Sequence, residues 1–260
     1  MYRADLRRRL EAIRKAIVKA VDSRDVFGLR RGLMLHVDIP EEKAFALLDL
    51  PGKNKAFATW LNDILKQYFL EDVGSGDITP AWIQKFVRAA YARGATSALT
   101  QIAKTDKELA QLSVGNLLTT PFHRERIGQL FDRNFTELKG FSSSMSTNLQ
   151  RIVADGLMTG DNPRSMARDL SERVGIDRSR AERIIRSEVI RTNAEAQLNT
   201  FERFGLSNVQ LDAEFISSDD DFVCPECDAL SGQIFDIDEA RGMIPVHANC
   251  RCSWIPVQTE

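Results

Sequence analysis

The residues best suited to chemistry lie at the end of the chain. All four cysteines fall there, as Cys224-Pro-Glu-Cys227 and, after 22 intervening residues, Cys250-Arg-Cys252, with His247 three positions before Cys250. A Cys-x-x-Cys pair presents two thiolates from one turn, close enough to share a tetrahedral ion about 2.3 Å from each sulfur. The second pair and its histidine return after a hairpin-sized spacer and complete a four-ligand set. Soft thiolates select zinc over harder cations, so the expected cofactor is a structural Zn2+. Cys224, Cys227, His247, Cys250 and Cys252 compete for four places, and the sequence leaves open which one stands outside. Four protein ligands leave no position for a reacting water, so such an ion builds structure and catalyses nothing. Scattered core thiols and a disulfide pair are the competing readings. The clustering disfavours the first, and the lack of any sign of an oxidising compartment disfavours the second.

The rest of the chain must position that cluster. At 43% hydrophobic over 260 residues its composition is that of an ordinary globular protein of one to two domains. No apolar run approaches the roughly 18 residues a bilayer span needs, so no membrane partner is expected. The net charge of −2 conceals an uneven distribution. Residues 1–35 carry ten basic side chains against four acidic ones, whereas residues 212–240 carry ten acidic and none basic. One end is therefore suited to a nucleic acid or an acidic partner and the other is not.

Periodicity places helices along most of the chain. Leu6, Leu10, Ile13, Ile17 and Val21 form the stripe of an amphipathic helix, and Arg7, Arg8, Arg14 and Lys15 lie off it. Those four cations are read as a solvated face, or as contacts to DNA, RNA or an acidic protein surface. Pro40 opens a short helix that Pro51-Gly52 ends, and Ala56–Leu70 makes the next. Gly74–Asp77 is a turn, and Thr79-Pro80 starts a helix carrying Trp82, Phe86 and Tyr91. Thr120-Pro121 starts another, stopped at Gly140, with His123 near its beginning as a surface histidine. Phe141 to Gly156–Gly160 follows. Asn162-Pro163 caps a short helix through Leu170, and Asp177 caps a long one to about Phe204. Arg180, Arg183, Arg186, Glu188 and Arg191 on that long helix are read as exposed intrahelical pairs. Held instead against the acidic segment, they would lock a helical body to whatever follows. After Gly205 the period becomes two: Val209 to Phe215, Gln233–Ile237 and Ser253–Val257 read as short strands. The expected class is α+β, a mostly helical body with a small β-containing, zinc-closed C-terminal cap.

These C-terminal residues carry a family resemblance. Arg186-Ser-Glu-Val-Ile-Arg-Thr-Asn193, an Asp-rich turn, Cys224-Pro-Glu-Cys227, Leu230-Ser-Gly232, Phe235 and Pro245-Val-His-Ala-Asn-Cys-Arg-Cys252 follow one another in an order that resembles the phage Mu protein F-like family of minor head proteins. Ser231 stands where Asp is usual and Ala248 where a second Pro is usual, and neither is a metal ligand. The resemblance implies a helical N-terminal region over 1–139 and a head-morphogenesis domain over 140–260, closed by the knuckle at 205–260. It also implies a structural minor capsid protein in the virion of a tailed bacteriophage, assembled in the host bacterial cytoplasm. Its partners would be the portal protein and a major capsid or scaffolding protein. Phage DNA is a further candidate partner, and ejection with the DNA a further implied role.

Two other classes compete. A zinc knuckle that itself touches nucleic acid would have to bring phosphates past Asp219, Asp220, Asp221, Glu226 and Asp228, which repel them. A nuclease or other toxin-like enzyme would need a catalytic constellation, and no His-Glu-x-x-His, Gly-x-Ser-x-Gly or phosphate loop is present. The Asp219–Asp221 run is the one stretch that could hold a hard cation, and a solvated turn explains it as well. No catalysis is expected.

Overall fold

The computed structural model describes residues 2–27, 49–70, 81–105, 113–208, 211–218 and 220–258. The expected helix from Pro40, the turn at Gly74–Asp77, the Thr79-Pro80 start, Val209 and Asp219 lie outside them. The described elements run α1 (Tyr2–Val18), α2 (Leu50–Leu65), α3 (Ala81–Thr105), α4 (Val114–Thr119), α5 (Pro121–Thr159), α6 (Pro163–Asn208), β1 (Leu211–Ile216), α7 (Pro225–Leu230), β2 (Ile234–Phe235), α8 (Ile237–Ala240) and β3 (Ser253–Gln258). Wider π-type turns, Lys19–Ser23 and Lys66–Leu70, extend α1 and α2. Among the described residues no helix is long and apolar enough to cross a membrane. The class is the expected one: helices throughout, and one small sheet near the C-terminus.

Three helix boundaries differ from the sequence reading, each for a local reason. Pro51-Gly52 begins a helix instead of ending one. Asp49 is its N-cap, with Oδ1 accepting from the Gly52 N–H at 2.8 Å, and a proline in the first turn loses no hydrogen bond there. Gly140 does not stop α5, which runs on to Thr159. Leu138 and Phe141 on either side are both buried, so packing carries the helix through the weak residue. Likewise α6 continues through Gly175 to Asp177. The Asp177 side chain is engaged by Arg173 one turn back, at 2.9 Å from Nη2, and so caps nothing. The Asn162 cap is present, its Oδ1 accepting from Ser165 N–H at 2.9 Å.

The chain divides into two compact units, Met1–Pro80 with Glu137–Glu182, and Ala81–Thr136 with Arg183–Glu260. The first is helical where described. Leu6, Leu10, Ile13, Ile17 and Val21 are essentially inaccessible, and each buried aliphatic side chain stabilises by roughly 1.5–3 kcal/mol. Phe57, Leu61 and Leu65 of α2 are buried as well, with Phe27 against Phe57 at 5.8 Å between ring centroids and Phe69 against Phe141 at 5.5 Å.

The second unit holds α3, the C-terminal half of α6 and the sheet. The sheet is antiparallel in the order β2-β1-β3, with Ala213 opposite Phe235 and Pro256, and Phe215 opposite Trp254. The period-two pattern explains it: Ala213 and Phe215 face inward and are fully buried. They pack on Ala98 and Ile102 of α3 and on Ala194, Leu198 and Phe201 of α6. Gly94 lets these two helices approach closely, since a Cβ there would lie 2.2 Å from the Asn193 carbonyl oxygen.

Candidate metal centre

Two short segments build the centre. Cys224 is the N-cap of α7, and its Sγ accepts from the Cys227 N–H at 3.4 Å. Pro225 occupies the first helical position, so Cys224 and Cys227 face the same way across one turn. The second segment folds back just before β3. The Cys250 N–H donates to the His247 carbonyl at 3.2 Å, and Asn249, in the left-handed region at φ 66°, closes the turn.

All five candidate ligands converge. His247 Nε2 lies 3.1 Å from Cys224 Sγ and 3.2 Å from Cys227 Sγ. The donor atoms form two groups, Cys224, Cys227 and His247, and Cys227, Cys250 and Cys252, with the members of each within 4.8 Å of one another. Cys227 belongs to both. No disulfide joins the four thiols. The His247 Nδ1 lies 2.9 Å from the Ala248 carbonyl oxygen, and the hydrogen bond between them leaves the Nε2 lone pair aimed at the thiols, as a metal-ligating imidazole requires. The same carbonyl raises the His247 pKa above the ordinary imidazole value.

The thiols differ in acidity. The Cys227 N–H bond lowers the pKa of Cys224. Burial pushes Cys227 well up and Cys252 to about 11. Burial also opposes ionisation of Cys250, but hydrogen bonds from the backbone of Cys252 and Val246, together with those from the Cys252 and Cys227 side chains, outweigh it and leave that thiol more acidic than usual. Without a cation Cys227 and Cys252 stay protonated, and a metal ion bound among the four sulfurs would favour their thiolates. The donor set therefore fits a thiophilic ion that can be held by four protein ligands.

The centre is continuous with a hydrophobic core. Cys227, Cys250 and Cys252 are buried in one cluster with Phe215, Trp254, Leu198 and Phe201. Trp254 packs edge-on against Phe215 at 5.4 Å and Phe235 at 6.0 Å, and its backbone N–H donates to Gln197 Oε1 of α6 at 3.2 Å. Arg251, between the last two cysteines, is ion-paired with Asp220. The Asp-rich turn is thereby tied to the knuckle, and no metal-ion grouping involves its described members.

The polar link between cap and α6 is not the lock that formed one of the two readings of the α6 charges. Arg183 and Arg186 are exposed, while Glu188 is buried 3.4 Å from Arg191 and 3.5 Å from Arg133. The cation is instead Arg241 of the cap. Its guanidinium reaches Glu195 at 3.3 Å, Asn199 Oδ1 at 2.9 Å and Glu202, all on α6, and the Gly242 N–H donates to Glu195 Oε1 at 2.9 Å. Asn199 Nδ2 continues the network to Tyr91 OH at 3.2 Å, which lies 2.7 Å from His123 Nδ1. His123 is thus fully buried, and not the surface residue expected. The signal for Arg241 was in the sequence, as the first basic residue after the acidic run at 212–240. Nothing comparable marked Tyr91, His123 or Asn199.

At the N-terminus Arg7 donates to Glu182 at 2.6 Å, Arg8 is ion-paired with Asp5 at 2.6 Å, and Arg14 is ion-paired with Glu11 at 2.6 Å and donates to the Ser171 hydroxyl at 3.1 Å. Lys15 is exposed.

Fold and centre together define a helical protein whose C-terminal cap is shaped for closure by a metal ion. Residues 147–255 match the family model described as Phage Mu protein F like protein, and over that segment the resemblance read from the sequence holds. No curated protein and no solved structure matches the chain.

Proposed function

We propose that the protein is a structural, non-enzymatic component of a tailed-phage head, acting in head assembly through contacts with the portal and with the capsid or scaffolding proteins around it. The observation that carries this is the coincidence of the family match, 147–255, with the second half of α5, all of α6 and the cap down to β3. The family supports head morphogenesis. Position near the portal, residence inside the virion and departure with the DNA are finer parts of the same reading.

In this reading the bound ion is zinc, held by Cys224, Cys227, His247 and one of Cys250 and Cys252. It supplies a cross-link between α7 and the segment leading into β3. The chain's own residues do the rest: Gln197 aligns β3, Arg241 fixes the cap on α6, and Arg251 ties down the Asp-rich turn. Such a cap presents a fixed surface to neighbours and turns nothing over. The centre does not suit phosphate contact, because Glu226 and Asp228 flank it on α7.

The test is assembly with the gene segment for residues 211–258 deleted, scored by particle count, packaged DNA and infectivity. Empty, aberrant or non-infectious particles support the proposal. Normal infectious heads refute it.

A further inference from the structure

We propose that a groove on the first unit, between α1 and α2 with its terminal turn, receives an amphipathic helix of a partner protein, apolar on one face and acidic along its flank. This rests on the docking role proposed above and names the chemistry of the partner. The groove has a volume of about 630 Å³. Ala12 and Ala16 form one wall, one helical turn apart, and Trp60, Ile64 and Tyr68 form the other. The alanines keep the α1 side shallow, so a helix backbone can lie close, while the aromatic side offers knobs for its apolar stripe. Tyr68 is 37% exposed.

Charge decides the partner. Lys15 and Lys19 stand on the rim at i, i+4, both exposed. Among the described residues neither has an ion pair, whereas Arg7, Arg8 and Arg14 on the same helix each have a carboxylate. An apolar floor under two unpaired cations complements a helix with Leu-type anchors and Glu or Asp beside them. Duplex DNA fits poorly, since phosphates gain nothing from the apolar floor. A second copy of this chain fits poorly too, because a two-fold contact would set the lysines of one protomer against those of the other.

The experiment uses the full chain and two synthetic amphipathic helical peptides with the same leucine stripe, one flanked by glutamate and one by lysine. The Glu-flanked peptide is expected to bind saturably and at least about tenfold more tightly than its Lys-flanked twin. The double variant Lys15→Glu, Lys19→Glu is expected to reverse that order, and Ala16→Glu to abolish binding of both. These positions are exposed or lie at the groove surface, and helicity by circular dichroism confirms that each variant is folded. Equal binding of the two peptides, no binding of either, an unchanged preference in the double variant, displacement of the peptide by duplex DNA, or dimerisation of the free chain through this face would each overturn the proposal. The assay uses purified protein only, so its failure is distinct from failure of the assembly test.

Discussion

Arg241 of the cap is ion-paired with Glu202 of α6, and the same guanidinium reaches Asn199 and Glu195 within two turns of that helix. A cation from the cap is thus enclosed by acceptors from the helix that precedes it. Charge-assisted hydrogen bonds of this kind contribute roughly 1.5–3 kcal/mol, and removing the cation leaves Glu195 without it and Glu202, among the described residues, with only Arg126, at 3.8 Å. Arg241→Ala should destabilise the cap by about 2–3 kcal/mol. Hydrogen exchange at the β1 and β3 amides would show it, and unchanged protection there would mean the link is only a surface pairing.

Cys227 belongs to both donor groups, so it should be the most sensitive of the candidate ligands. Cys227→Ser, and to a similar degree Cys224→Ser, should open the cap while α1, α2 and α5 keep their helicity. The buried face of α6 at Leu198 and Phe201 would then be exposed, and the variant should bind a hydrophobic dye. A Cys227→Ser protein with native exchange protection in the sheet would contradict the structural role of the site.

His123 gives a pH signature. Burial lowers its pKa from the ordinary 6.5 to about 4. The unfolded chain therefore binds more protons between those values, so stability present above pH 6.5 is lost as pH falls towards 4, by at most about 3 kcal/mol. Comparing unfolding free energies of the parent and His123→Gln between pH 4 and 7 isolates this from titration of the Cys/His cluster. The parent's extra pH dependence should vanish in the variant, and parallel curves would show that His123 does not carry it.

Two glycines should respond in opposite directions to the same change. Gly94→Ala would drive a methyl to within 2.2 Å of the Asn193 carbonyl and 2.8 Å of Ala196 Cβ, costing about 1–3 kcal/mol or more. At Gly140 nothing lies within 4 Å of an added Cβ, and the helix is continuous, so Gly140→Ala should stabilise by about 0.5–1 kcal/mol. Thermal unfolding of the two variants decides both, and a destabilised Gly140→Ala would mean that α5 is broken there in solution.

Much of this was legible beforehand where local chemistry is decisive. Two Cys pairs and His247 announced the centre, and the alternation through Ala213 and Phe215 announced the strand. The stripe from Leu6 to Val21 announced α1. What failed was punctuation: Gly140 and Pro51-Gly52 read as stops and Asp177 as a cap, although packing beside Gly140, the cap at Asp49 and the pairing of Asp177 with Arg173 make each compatible with helix. Partners distant in sequence were also illegible. Nothing near Arg7 points to Glu182, and nothing near His123 points to Tyr91 or Asn199, because such pairs exist only once helices pack. The α6 charges offered two readings, pairs along the helix or a lock onto the acidic segment; Glu188 pairs with Arg191 along the helix, and the cation that joins cap to helix is Arg241, which follows the acidic run.

The most direct test of the central claim is the metal content of the purified full-length protein, prepared under reducing conditions without added metal and measured by elemental analysis against protein concentration. A structural centre made from Cys224, Cys227, His247 and one of Cys250 and Cys252 predicts about one zinc per chain. Folded protein with no bound metal would contradict it.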